Sequence, residues 1–168
     1  IAGYGRVGHT VGTIMSSLGI PFLAFDADAV LVAKWRSEGH PVFYGDIGNP
    51  ELLANASLQL VELFVLTIDD QHTALRAATL IRVHAPATKI VARARDLSTC
   101  DALLQAGVTL AFPETLEASL RLAAESLEAL GISSDETGML LRGVRSTDYA
   151  LVRAGPEAAP QPKPPTAD

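Results

Sequence analysis

Gly3-Tyr4-Gly5-Arg6-Val7-Gly8 is the stretch that decides the fold of this chain. It reads as a G-x-G-x-x-G turn, in which backbone comes close to a pyrophosphate and the following helix N-terminus points at it. Gly3 permits the tight turn, Gly5 the close approach and Gly8 the helix packing. Alone the motif is weak, because glycine-rich turns are common. Its surroundings strengthen it. Val7, Val11, Ile14, Met15 and Leu18 follow at i, i+4, i+7, i+8 and i+11, one apolar helical stripe that Gly19 ends. Asp26 then stands 21 residues after Gly5, at the end of a predicted strand. A carboxylate there accepts hydrogen bonds from the ribose hydroxyls of an adenosine and repels a 2′-phosphate. The competing reading is that Asp26 caps the next helix.

Outward from this turn, short β-rich runs alternate with amphipathic stretches. Strands are predicted at Phe22–Phe25, Val42–Tyr44, Leu63–Ile68, Lys89–Ala92 and Val108–Phe112, with Pro21, Gly39, Pro86 and Gly107 at the boundaries. Counting a truncated first strand, the pattern predicts an α/β fold: a Rossmann-like, parallel six-stranded sheet with helices on both faces. A helix is expected over Glu114 to Leu130, closed by Gly131. Its Leu116, Leu120, Ala123, Leu127 and Leu130 recur at spacings of 4, 3, 4 and 3, with Leu122 off that seam, and predict a homodimer contact. The alternative is that all five pack within one chain. The expected organisation is a nucleotide-binding domain over 1–131, including a crossover helix at about 114–130, and an extension over 132–154 whose apolar residues fit neither period. A tail over 155–168 follows, with five prolines in 14 residues, expected to be disordered. Because Ile1 is not Met and opens directly on the glycine turn, the chain reads as a piece of a longer protein.

Composition narrows the function classes. The chain has 168 residues, 48% hydrophobic and 19% charged, with a net charge of −6. Its length suits one domain plus a tail. The negative charge, with Lys and Arg scattered, argues against nucleic acid, whose phosphates demand a basic footprint. No apolar run approaches the roughly 18 residues needed to span a bilayer, and no signal peptide is recognisable. The single Cys100 excludes an intrachain disulfide framework and a cysteine zinc site, and fits a reducing compartment.

Other polar residues gather at predicted strand ends. Asp46 follows the third strand and offers an acceptor for an adenine amino group, or a cap for the Asn49-Pro50-Glu51 turn. Thr67 and Asp69-Asp70 end the fourth strand at the same rim, with Asp70 read as an N-cap. Arg93 and Arg95 end the fifth strand on one face by alternation, and with Arg6 offer guanidiniums for carboxylates or phosphates. A salt-bridge network with Asp96 and Asp101 is the competing assignment. His9, His40, His72 and His84 show no metal spacing and read as surface or cap residues; Cys100 reads as a packing residue. No acid, base or nucleophile is placed by spacing, so no enzyme is expected.

Taken in order, Gly3 to Gly8, Asp26, Phe43-Tyr44-Gly45-Asp46, Ile68-Asp69-Asp70 and Ala92-Arg93-Ala94-Arg95-Asp96 resemble the TrkA-N, or RCK (regulator of potassium conductance), domain. More narrowly they are similar to the cytosolic domain of Kef-type potassium/proton antiporters. The resemblance covers roughly residues 1 to 131. It implies a regulatory module behind an N-terminal membrane antiporter domain, at the cytoplasmic face of the inner membrane, dimeric and binding AMP or NAD(H). The contacts it implies are Gly3, Tyr4, Gly5, Arg6, Val7, Gly8, Asp26, Ala27, Asp46, Ile47, Thr67, Asp69 and Arg93. It further implies glutathione or a conjugate near Arg6, Arg93 and Arg95. One departure stands out: Gly45-Asp46-Ile47-Gly48 replaces the family's frequent Gly-Asp-Ala-Thr, so a threonine contact is lost. No second RCK subdomain is recognisable after Gly131. The alternatives are an NAD-dependent oxidoreductase fragment lacking its substrate domain, and a free-standing nucleotide or redox sensor.

Overall fold

The computed structural model describes residues 1–55 and 60–153; the tail expected to be disordered lies outside them. Two compact units divide the chain at Glu117 and Ala118. In the first, β1 (Ala24–Asp26) pairs in parallel with β2 (Val42–Tyr44). β3 (Leu63–Leu66), β4 (Lys89–Ala94) and β5 (Leu110–Pro113) form a second parallel ladder in that order. The six-stranded expectation is therefore corrected to five strands among the described residues, in ladders of two and three. In place of a sixth strand stands one residue, Ala2, with single parallel bridges to Phe25 and to Leu66.

Backbone hydrogen bonds hold this short segment on both sides. Phe25 donates to the Ile1 carbonyl at 2.9 Å and Gly3 to the Phe25 carbonyl at 2.8 Å. On the other side Ala2 donates to Val65 and Thr67 donates to Ala2, both at 2.8 Å. The Thr67 hydroxyl adds contacts to the carbonyls of Ala2 (3.1 Å) and Gly3 (2.6 Å).

Helices α1 (Arg6–Ser17), α2 (Ala29–Ser37), α3 (Pro50–Asn55), α4 (Gln71–His84) and α5 (Leu97–Gln105) alternate with the strands. Adjacent strand residues point to opposite faces, so Ala24 and Phe25 serve different cores. Ala24 joins Tyr4, Val32 and Val42 in a small cluster with Trp35 of α2. Phe25 packs against the larger cluster, where Leu66, Ile90 and Ala92 meet Ala77, Ala78 and Ile81 of α4 and Cys100 and Leu103 of α5. Phe64, Val65 and Leu66 are all buried, as a parallel strand covered on both sides requires. The stripe expected on α1 is turned. Its buried residues are Gly8 and Gly12, with Val7, Val11 and Met15 half-buried and Ile14 and Leu18 exposed. Small residues face inward because the helix lies too close for larger ones: a Cβ on Gly12 would stand 2.6 Å from the Tyr4 hydroxyl.

α6 (Glu114–Ala129) begins in the first unit and continues into the second, which also holds α7 (Ser134–Ser146) and α8 (Ala150–Arg153). The extension read as fitting neither period is thus helical. Its signal was the capping box: Ser133 accepts from the Glu136 amide and the Glu136 carboxylate accepts from the Ser133 amide. On α6 the buried positions are Leu120 and Ala124, with Leu116 and Leu127 half-buried. Ala123 and Leu130 are exposed in the single chain.

The clasp at Ala2 generates a test. Thr67→Val keeps the shape of this 9% exposed side chain while removing its hydroxyl, and the unfolding free energy should fall by about 1–2 kcal/mol. Urea denaturation followed by circular dichroism measures it.

Candidate functional site

The clasp delivers the glycine turn to the carboxyl ends of the central strands. Gly3 has a φ of +87°, in the left-handed region that only glycine adopts cheaply, and reverses the chain there. Gly8 is required by contact: a Cβ on it would lie 2.1 Å from the Gly3 carbonyl oxygen and 2.8 Å from the Thr67 hydroxyl. Gly5 differs from both. It precedes α1 with ordinary extended backbone, and a Cβ there would meet nothing within 4 Å. Nothing within the protein demands a glycine at this place, yet open space faces it. Beside it, the amides of Arg6, Val7 and Gly8 open α1 and have no carbonyl four residues back to bond.

Asp26 lies across the turn and ties it down. Its Oδ2 accepts from the Tyr4 amide at 2.6 Å and its Oδ1 from the Asp28 amide at 2.8 Å. The alternative that Asp26 caps the next helix is corrected: Asp28 is the cap, accepting from Val30 and Leu31 at 2.9 and 3.1 Å. Each Asp26 oxygen retains a lone pair beyond the bond it makes. Ala27 is exposed between the two acids.

Asp46 sits next door, because Gly45 donates to the Asp26 carbonyl at 3.0 Å where β1 and β2 end together. Its Oδ1 accepts from Gly48 at 2.8 Å, and its Oδ2 pairs with Arg76 at 3.2 Å. The cap at Glu51 comes from Asn49, at 2.9 Å, not from Asp46. Ile47 buries its side chain in the larger core. Thr67, expected at the rim, directs its hydroxyl to the turn's carbonyls and supports the loop from behind.

Beyond the ends of β3 and β4 opens a cleft of about 610 Å³. Asp69, Asp70, His72, Arg93, Arg95 and Asp96 are among its lining residues, so alternation correctly places the two arginines together. Arg6 does not line it. Arg93 is held by Asp69 at 2.7 Å and by Glu114 at the start of α6. The expected partner Asp96 instead caps α5, accepting from Thr99 at 2.8 Å. Arg95 is exposed, and its charge adds to the hydrogen bonds from Thr99 that hold the Asp96 carboxyl below the usual range. Asp70 is the N-cap of α4, as expected, and is lowered by the hydroxyl and amide of Thr73. Caps of this kind keep their contribution above the ordinary carboxylate range and lose it as pH falls through the lowered folded value.

His72 and His84 are exposed, as expected, whereas His9 and His40 are half-buried against Tyr4 and Trp35, a correction to their surface assignment. Cys100 packs in the core. Among the described residues no three His, Cys, Asp or Glu side chains gather to hold a metal. Arg76, Glu114 and the histidine pair were missed because their partners lie about 20 to 30 residues or more away in sequence, with no local signal.

A profile of the TrkA-N domain matches residues 1–113. The chain is 37% identical over 136 residues to the glutathione-regulated potassium-efflux system protein KefC of Salmonella arizonae, covering 81% of this chain. It spans only 22% of that relative's length. Among solved structures, the Kef C-terminal domain of Shewanella denitrificans in its AMP-bound form superposes with a TM-score of 0.73 at 32% identity, covering 91% of this chain and 94% of that one. The TrkA-N domain of the inner membrane protein ybaL from Escherichia coli gives 0.68 at 25% identity, covering 75% and 93%.

The two glycines should separate in the laboratory. Gly5→Ala should leave the thermal midpoint near that of the parent, since its Cβ enters open space. Gly8→Ala should lower it by several degrees, because the Gly3 carbonyl must move. Scanning calorimetry of both variants is the measurement.

Proposed function

Because the chain belongs to the TrkA-N domain family, we propose that it is the nucleotide-binding regulatory part of a Kef-type potassium/proton antiporter. The observation that carries this is the open space at Gly5, flanked by unbonded amides and faced by Asp26. Phosphate oxygens accept from the first-turn amides of α1, where the helix dipole also favours negative charge. Asp26 accepts from the ribose hydroxyls through the lone pairs it retains, and its charge disfavours a 2′-phosphate. Asp46 accepts from the adenine amino group. The ligand proposed is AMP or NAD(H), and the AMP-bound Kef structure at 32% identity supports it.

In this proposal the chain is regulatory and not an enzyme. It follows a membrane antiporter domain at the cytoplasmic face of the inner membrane and pairs with a second copy. Occupancy biases an equilibrium between dimer arrangements, and thereby transport. An anionic second ligand of the glutathione type takes the cleft beyond β3 and β4. Of the three arginines named for it, Arg95 is the freest to bind, since Arg93 is clamped between Asp69 and Glu114.

Calorimetric titration with AMP, NADH and NADPH tests the first site. AMP or NADH should bind more tightly than NADPH, and tightest binding of NADPH would remove the role given to Asp26. Gly5→Val should abolish binding while leaving the circular dichroism spectrum intact, because its side chain fills the phosphate space. For the second site, Arg95→Gln should weaken a glutathione conjugate by about tenfold and leave AMP affinity unchanged; an equal loss for both ligands would merge the two sites into one.

A further inference from the structure

Tyr4 is the one aromatic residue of the glycine turn, and it is fully buried. Its amide donates to Asp26, and its hydroxyl lies 3.1 Å from Nδ1 of His40. The ring of His9 stacks on Trp35 with centres 4.0 Å apart and planes at 14°. His40 stands edge-on to both, 5.2 Å from Trp35 and 5.1 Å from His9. Two imidazoles thus meet beneath a turn whose other side is the proposed phosphate cradle, and Tyr4 is the group that both levels share.

The protonation of this cluster has a preferred sense. Burial raises the Tyr4 phenol above its ordinary value, so it keeps its proton and must place it. Neutral His40 with hydrogen on Nε2 offers Nδ1 as the acceptor. Once protonated, His40 carries hydrogen on both nitrogens, and the phenol proton is left without an acceptor in a ring-lined pocket. Other titratable and charged groups stand around the cluster. From the turn and α1 come Tyr4 and His9. From α2 comes Lys34, whose ammonium lies 4.4 Å from the centre of the Trp35 ring. The Asp26 carboxylate bonds the backbone of Tyr4, not an imidazole.

We propose that Tyr4, His9 and His40 form a proton-sensitive support for the glycine turn, through which acidification weakens nucleotide binding. This rests on the nucleotide reading given above and adds a control to the same site. His40 is a positioning residue: it acts on the ligand through Tyr4, and Tyr4 acts through the turn and through Asp26. Histidine is the side chain suited to such a device, because its charge changes across the physiological range.

The probe is NAD⁺, which has no group of its own titrating in the window used, unlike AMP with its phosphate. Its affinity, measured by calorimetry, should fall about fivefold from about pH 8 to about pH 6. His40→Asn supplies a non-titrating acceptor near the Nδ1 position, and should keep the affinity seen at the higher pH while flattening the profile. Tyr4→Phe, which retains the packing and loses the hydroxyl, should flatten it as well, so the test survives if one variant fails to fold. Trp35 is the only tryptophan of the chain, and its fluorescence should titrate in the parent with the same midpoint as the affinity. Binding of NAD⁺ that is equal at both pH values, or an undiminished decline in both variants, overturns the support while sparing the nucleotide site. Absence of NAD⁺ binding at either pH overturns the nucleotide reading and the coupling together.

Discussion

The structure depends on three residues, Ile1 to Gly3, inserted between the two ladders. Four backbone hydrogen bonds of 2.8 to 2.9 Å hold Ile1, Ala2 and Gly3 to Phe25, Val65 and Thr67. Through them the β1–β2 pair and the β3–β4–β5 ladder share one sheet edge to edge, as the two bridges of Ala2 show. The same residues set where the glycine turn begins. A shift of one residue here would turn Gly3 out of its left-handed position and drive Gly8 into the turn's backbone.

From this clasp the candidate site follows by short steps. Thr67 supports the turn from the β3 side through its hydroxyl, and Asp26 holds it from the β1 side through the Tyr4 amide. A turn fastened on both flanks has its donor amides oriented before any ligand arrives, which reduces the ordering cost of binding. Asp26 therefore has two roles that support each other: it shapes the turn, and it presents lone pairs to whatever lies against the turn. In the nucleotide reading proposed above, the anion contacts belong to the backbone, and the side chains around it discriminate by charge and hydrogen-bond sense.

Charge clamps give the second cleft its character. Arg93 joins Asp69, at the end of β3, to Glu114, the first residue of α6. One guanidinium thus connects the end of β3 with the start of α6. Arg76 makes a comparable link between α4 and Asp46, with its exposed guanidinium over Gly48.

By itself the sequence determined whatever depends on neighbours along the chain. The alternation of β-rich runs and helices, the strand at Val42–Tyr44, the glycine turn, the cap at Asp70 and the shared face of Arg93 and Arg95 are all set by local propensity or by a fixed period, and each is found where it was expected. The helix α7 was equally legible through Ser133 and Glu136, although its apolar residues concealed it. Tertiary structure alone decided the rest. It turned Gly8 and Gly12 of α1 inward in place of the larger stripe, and passed the cap from Asp26 to Asp28. It also gave Arg93 its partners Asp69 and Glu114, and gathered His9, Trp35 and His40 around Tyr4. The physical reason is common to these cases: each depends on a distance between backbones or side chains from different elements, and such distances are set by how closely helices and strands pack, which no period along the chain encodes.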